Sequence, residues 1–219
     1  MIRPLSFFLL ALAVVTTAEA GAPPKDLPPI AVTFGAHSVT AKGTTPGGNV
    51  LFASLGEAAI QWSREILWLT LVEHDASGQG EATLTTTRPI ATTSVWAVID
   101  LTSGNLTLAS PPGFPLRRLD FPGNGMARGI SGQLERLDLN QRGMFIVWVR
   151  PGVGAWSKRV GDGGAADDDH TIDGKVRASA ENMLPIGSSG AAPKHFLPHD
   201  TVVVFNPSTY EIFSTEVPN

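Results

Sequence analysis

From Ile30 onward, breaker residues interrupt the chain so often that little room is left for a helix of ordinary length. The 219 residues include 23 glycines and 17 prolines, and the runs between them are short, apolar and often alternating. Alternation with period two puts successive side chains on opposite faces of a strand. Turn signals spaced roughly every 8–12 residues between such runs are the pattern of an all-β sandwich or barrel. The sequence therefore predicts an all-β fold, an antiparallel β-sandwich of about a dozen strands. It is either one body over residues 30–219 or two sandwiches joined near residues 111–125. There Pro111-Pro112-Gly113-Phe114-Pro115 and Phe121-Pro122-Gly123-Asn124-Gly125 break the alternation, as a domain boundary or as one long surface excursion.

The individual strands follow from the pattern. Ile30–Phe34, His37–Lys42 and Val50–Leu55 open the body, with Thr45-Pro46-Gly47-Gly48 as a turn. Glu57 to Val72 contains no Gly or Pro, and Ile66–Val72 is apolar on both faces, as in a central strand. A helix over Glu57–Arg64 competes with strand there, because short apolar runs do not fix their period. Glu81–Thr87, Val95–Leu101 and Leu106–Ala109 follow, the last two as a hairpin through Thr102-Ser103-Gly104-Asn105. Leu134–Leu139 and Met144–Arg150 predict a hairpin through Asn140-Gln141-Arg142-Gly143. Ala155–Val160 and Val176–Ala180 predict strands flanking a hairpin excursion, Leu184–Pro198 reads as loop, and Thr201–Phe205 with Tyr210–Val217 forms the clearest hairpin.

Thr45-Pro46-Gly47-Gly48-Asn49-Val50, then a long strand, then Asp75-Ala76-Ser77-Gly78-Gln79-Gly80-Glu81-Ala82-Thr83-Leu84 resembles the turn-and-strand signature of bacterial immunoglobulin-like domains on exported proteins. The resemblance covers residues 30–87. It implies a sandwich scaffold with binding or spacing roles and no shared catalytic residues.

The amino terminus carries the features of an export signal. Arg3 supplies a positive start, Leu5–Val15 is a short apolar run, and Ala18-Glu19-Ala20 is a small-x-small cleavage site. The apolar run falls short of the about 20 residues that span a bilayer. Cleavage after Ala20 predicts a secreted or periplasmic protein in which residues 21–29, with four prolines, form an extended tether. The formal net charge is −4, with no basic patch, which argues against nucleic acid as a partner and leaves a protein or glycan at the cell surface or in the periplasm. The absence of cysteine excludes disulfides, thiolate metal sites and a cysteine nucleophile.

Three features bear on chemistry. The stretch from Gly161 to Gly174 holds five of the 20 acidic residues. Asp162, Asp167, Asp169 and Asp173 could supply oxygen ligands to calcium, although the spacing fits neither an EF-hand nor a glycine-aspartate repeat; Asp and Gly also simply suit a solvated turn. His170, His195, His199 and Asp200 are the parts of an alternative metal site, the basis of a competing reading as a metal-dependent hydrolase. Pro198 between His195 and His199 argues against a helix aligning them. Of Trp62, Trp68, Trp96, Trp148 and Trp156, four sit in apolar runs and read as core; Trp156, beside the acidic stretch, is expected to be exposed and to stack on a sugar. No Gly-x-Ser-x-Gly elbow, phosphate loop or dinucleotide fingerprint occurs. The expected function is an exported non-enzymatic binding or structural module, calcium-stabilised through residues 161–174.

Overall fold

The computed structural model describes residues 29–57, 67–116, 133–137, 144–160, 175–180, 183–206 and 210–217. Among them every regular element is a strand and every pairing is antiparallel. The strands are β1 (Ala31–Phe34), β2 (Ser38–Lys42), β3 (Asn49–Glu57), β4 (Leu67–Asp75), β5 (Glu81–Thr85), β6 (Val95–Asp100) and β7 (Leu106–Ala109). They continue with β8 (Gln133–Leu137), β9 (Met144–Arg150), β10 (Gly154–Val160), β11 (Lys175–Ser179), β12 (Leu184–Pro185), β13 (Thr201–Asn206) and β14 (Glu211–Glu216).

Four sheets result, with strand orders β1-β2-β5, β4-β3-β6-β7, β12-β10-β9-β13-β14 and β11-β8. The hydrophobic pattern explains how three of them stack. One face of the β4-β3-β6-β7 sheet (Val50, Phe52, Trp96 and Val98) shares a core with Val39, Ala41, Ala82 and Leu84 of the β1-β2-β5 sheet. Its opposite face (Leu51, Ala53, Ala97 and Ile99) shares a second core with Val147, Val149, Val203 and Phe205 of the five-stranded sheet. The far face of that five-stranded sheet, with Ile146, Trp148 and Val204, belongs to a third core that includes Met183 and Phe196. Strands β6, β9 and β13 are therefore covered on both faces, which is why their sequences are continuous apolar runs. Full burial of one such side chain is worth about 1.5–3 kcal/mol.

Several local expectations are corrected. β8 and β9 do not form a hairpin: β8 pairs with β11, while β9 lies between β10 and β13. β10 and β11 are likewise not partners across the acidic stretch. A strand as apolar as β9 needs neighbours on both edges as well as both faces, and that requirement outweighs the short connection to β8. β4 is an edge strand, not a central one; Leu71 packs into one core and Val72 into another, so both faces are covered from a sheet edge. The stretch over Leu184–Pro198 contains the short strand β12. The competing helix over Glu57–Arg64 falls largely outside the described residues.

Gly80 shows how tightly the first turns are set. Its carbonyl accepts from Gly43 N at 3.1 Å and Thr44 N at 3.2 Å. Its φ is +71°, and a Cβ there would come within 2.2 Å of the Thr44 carbonyl oxygen. Only glycine meets both demands.

Candidate functional site

Between β11 and β13 the chain crosses the open face of the five-stranded sheet as a strap over residues 183–200. Its sequence is rich in Gly, Ser and Pro, so it adds only the two-residue edge strand β12 to the sheet; Met183, Ile186 and Phe196 are buried, while Leu184 and Leu197 are exposed. Phe196, 3 % exposed, packs edge-on against Trp148 with ring centroids 4.6 Å apart. Trp148 in turn lies 4.8 Å from Trp156. Bonds to β10 tie the strap down: Trp156 Nε1 donates to the Gly190 carbonyl at 2.7 Å, Ala155 N donates to Ser189 Oγ at 2.8 Å, and Ile186 N donates to the Ala155 carbonyl at 2.9 Å.

At the end of the strap sits a buried carboxylate with four hydrogen bonds. Asp200 is 2 % exposed. Oδ2 accepts from Trp148 Nε1 at 2.8 Å, Arg150 Nη2 at 2.9 Å and Leu197 N at 2.8 Å, and Oδ1 accepts from Arg150 Nε at 3.0 Å. Arg150 thus grips Asp200 with both tines of its guanidinium fork, the geometry that makes charge-assisted pairs strong. A further bond from Arg150 Nη2 reaches the His195 carbonyl at 2.9 Å, and the guanidinium lies 5.2 Å from the Trp148 ring centroid. Chemically the cluster is saturated. Burial demands that charges be paired and buried polar atoms partnered, and no buried side-chain atom of this cluster lacks a hydrogen-bond partner.

The residues singled out from sequence fall as follows. Asp162, Asp167, Asp169 and Asp173 lie outside the described residues, as does His170. His195 is exposed and contributes its carbonyl to the cluster, through the bond from Arg150. His199, with a left-handed φ of 70°, pairs through Nδ1 with Glu216 Oε1, and its backbone N donates to the Val217 carbonyl at 3.0 Å. Among the described residues no three His, Asp or Glu side chains gather as a metal-binding group. Asp200, expected as a metal ligand, accepts from N–H donors at both oxygens. The expectation of an exposed ring at Trp156 is corrected. It is 1 % exposed and wedged against Trp148, so it has no free face on which a sugar could stack. The strap, short of periodicity, gave no sign that it would cover this ring.

Two polar anchors were not anticipated. Asp100, 2 % exposed, accepts from Thr45 N and Thr45 Oγ1 at 2.7 Å each, from Thr102 N at 2.9 Å and from Ser103 N at 3.3 Å. Burial pushes its carboxyl up, but the donors from Thr45, Ser103 and Thr102 outweigh burial and hold it below the usual carboxylate range. Asp followed by Thr and Ser two and three positions on is a side-chain-capped turn pattern that could have flagged it. Glu73 of β4 accepts from Ser188 N and Ser188 Oγ, both at 3.1 Å, joining the four-stranded sheet to the strap. The approach is so close that a Cβ on Gly187 would fall 2.1 Å from the Glu73 carboxyl carbon. Residues 115 positions apart leave no local pattern to find.

Among the described residues no helix is long and apolar enough to cross a membrane. No family model matches the chain, and a search of curated proteins finds none similar to it.

Proposed function

We propose that the chain is an exported, non-enzymatic β-sandwich module of immunoglobulin-like type that serves as a binding or structural element outside the cytoplasm. The observation that carries the reading is the strand order. Sheets β1-β2-β5 and β4-β3-β6-β7 share one core, and the chain passes between them three times, after β2, β4 and β5. Read as A-B-E against C′-C-F-G, this order supports an immunoglobulin-like sandwich, a type whose loops bind and whose bodies space. The polar chemistry agrees with that role: Asp100, Asp200 and Glu73 each hold loops to sheets. The acidic stretch at 161–174 enters only as the calcium candidate of the sequence.

Two experiments test this. Expressed with residues 1–20 in a Gram-negative host, the protein should be recovered from the periplasm beginning at Gly21; a cytoplasmic product retaining Met1 would remove export from the reading. The chain from residue 21 should show no turnover of model esters, phosphoesters, glycosides or peptides above buffer, with or without zinc. Turnover that vanishes in Asp200→Asn would overturn the non-enzymatic reading.

A further inference from the structure

We propose that residues 29–116 and 133–217 are two copies of one β unit that bury the same sheet face against each other. The inference rests on pairing, register, facing and turn bonds and goes beyond the proposed function. In the first half β3 pairs with its hairpin partner β4 and with β6, β6 pairs with its hairpin partner β7, and β2 pairs with β5. In the second half β9 pairs with its hairpin partner β10 and with β13, β13 pairs with its hairpin partner β14, and β8 pairs with β11. The partners agree for these six strands of each half; β1, paired with β2, and β12, paired with β10, have no counterpart in the other half.

Register makes the match residue by residue. Leu51↔Ile99, Phe52↔Val98, Ala53↔Ala97 and Ser54↔Trp96 in the first half correspond to Phe145↔Phe205, Ile146↔Val204, Val147↔Val203 and Trp148↔Val202 in the second. Facing agrees at each pair. Leu51, Ala53, Phe145 and Val147 all enter the shared core, while Phe52 and Ile146 point away from it. A one-residue slip would invert this parity. Each copy therefore buries the same face against the other.

The turns on either side of β6 and β13 repeat as well. Ser94 N donates to the Ala91 carbonyl and Asp200 N to the Leu197 carbonyl, each at 3.1 Å. Ile90 and Phe196, one residue earlier, each pack into their own outer core. After the strands, Gly104 N donates to the Asp100 carbonyl at 2.8 Å and Tyr210 N to the Asn206 carbonyl at 2.9 Å. Gly104 and Tyr210 are both left-handed, with φ of 76° and 56°. Residues 88–108 and 194–214 thus align without a gap.

A detail beyond topology is the indole acceptor. Trp96 Nε1 donates to Ser94 Oγ at 2.8 Å, and Trp148 Nε1 donates to Asp200 Oδ2 at 2.8 Å. Ser94 and Asp200 are equivalent positions. The tryptophans occupy opposite members of the equivalent cross-strand pair, yet serve the same acceptor. Gly56, equivalent to Arg150, leaves only 3.0 Å between a Cβ there and Ser94 Cβ. The second copy has Arg and Asp where the first has Gly and Ser, a matched pair at equivalent positions.

The test transplants the first copy's set into the full chain: Trp148→Ser, Arg150→Gly, Asp200→Ser and Val202→Trp together, beside the two half-sets Trp148→Ser/Arg150→Gly and Asp200→Ser/Val202→Trp. Each half-set disrupts a core pair and should lower the melting temperature by about 6 °C or more. The full set should melt above both halves, and the indole N–H at position 202 should resist hydrogen exchange to the same degree as the hydrogen-bonded N–H of Trp96, read in the same experiment. Mere compensation of size would not protect that N–H. A full set melting no higher than the better half, failing to fold, or carrying an unprotected indole at 202 overturns the equivalence.

Discussion

Replacing Arg150 by methionine isolates what the buried ion pair contributes. Methionine keeps much of the apolar stem over Trp148 and removes the charge. Asp200, 2 % exposed, would keep Trp148 Nε1 and Leu197 N but lose both guanidinium bonds. Breaking a buried pair from one side costs about 3–5 kcal/mol, because the remaining charge stays desolvated. In a chain of this size that is a fall of about 6–20 °C in melting temperature. Adding Asp200→Asn should recover at least about 1 kcal/mol, since the neutral side chain still accepts from Trp148 and Leu197, and its amide can donate to the His195 carbonyl that Arg150 released. Urea and thermal unfolding followed by tryptophan fluorescence read the result, because Trp148 and Trp156 stack beside the pair. A single-variant loss within about 0.5 kcal/mol, the range of a surface substitution, would refute the reasoning, as would a double variant less stable than the single.

Gly47 and Gly80 are both left-handed, but only at Gly80 would a Cβ meet anything, the Thr44 carbonyl oxygen at 2.2 Å. Gly47→Ala should therefore cost about 1–2 kcal/mol for backbone strain alone, with Gly80→Ala clearly worse; equal losses in urea melts would contradict the contact. Gly187→Ala should expel the Glu73 carboxylate and, with its left-handed φ of +55°, cost about 1–3 kcal/mol, and Glu73→Gln in that background should add little further loss. Asp100 has a folded pKa below its unfolded one, so its stabilisation is present above about pH 4, the unfolded value, and fades as pH falls through the folded value; Asp100→Asn should flatten this acid limb, and an unchanged limb would refute it. The calcium reading predicts that calcium at a hundred times its dissociation constant stabilises the chain by about 2.7 kcal/mol, with the gain lost in Asp167→Asn/Asp169→Asn; no shift with any ion withdraws it.

Most strands were legible because burial writes itself into them. Val95–Asp100 and Thr201–Asn206 are continuous apolar runs bounded by turn residues, and they lie where those runs predict. What could not be read was which strand pairs with which. Gln133–Leu137 and Met144–Arg150 are close in sequence and suggest a hairpin, but a strand apolar on both faces competes for neighbours across the whole fold, and β9 finds them in β10 and β13. Short-range turn chemistry has no access to that competition. Trp156 failed for a related reason: its exposure depended on a strap whose anchoring atoms, Gly190 O and Ser189 Oγ, lie 34 residues away.

The same limit explains why two equivalent halves escape a reading of the sequence. What the halves share is parity, size and the role of an acceptor, and almost none of it is identity: Ser94 and Asp200 both receive an indole N–H, Asp100 and Asn206 are both buried polar residues ending a strand, Gly104 and Tyr210 both take a left-handed φ. Tyrosine in that conformation is costly, and it is tolerated because the hairpin bond from Tyr210 N to Asn206 O fixes the turn regardless of side chain. What the fold requires at these positions is the bond made and the face filled. Two chains of different letters can satisfy both, so the repeat becomes visible only when strand register supplies the alignment.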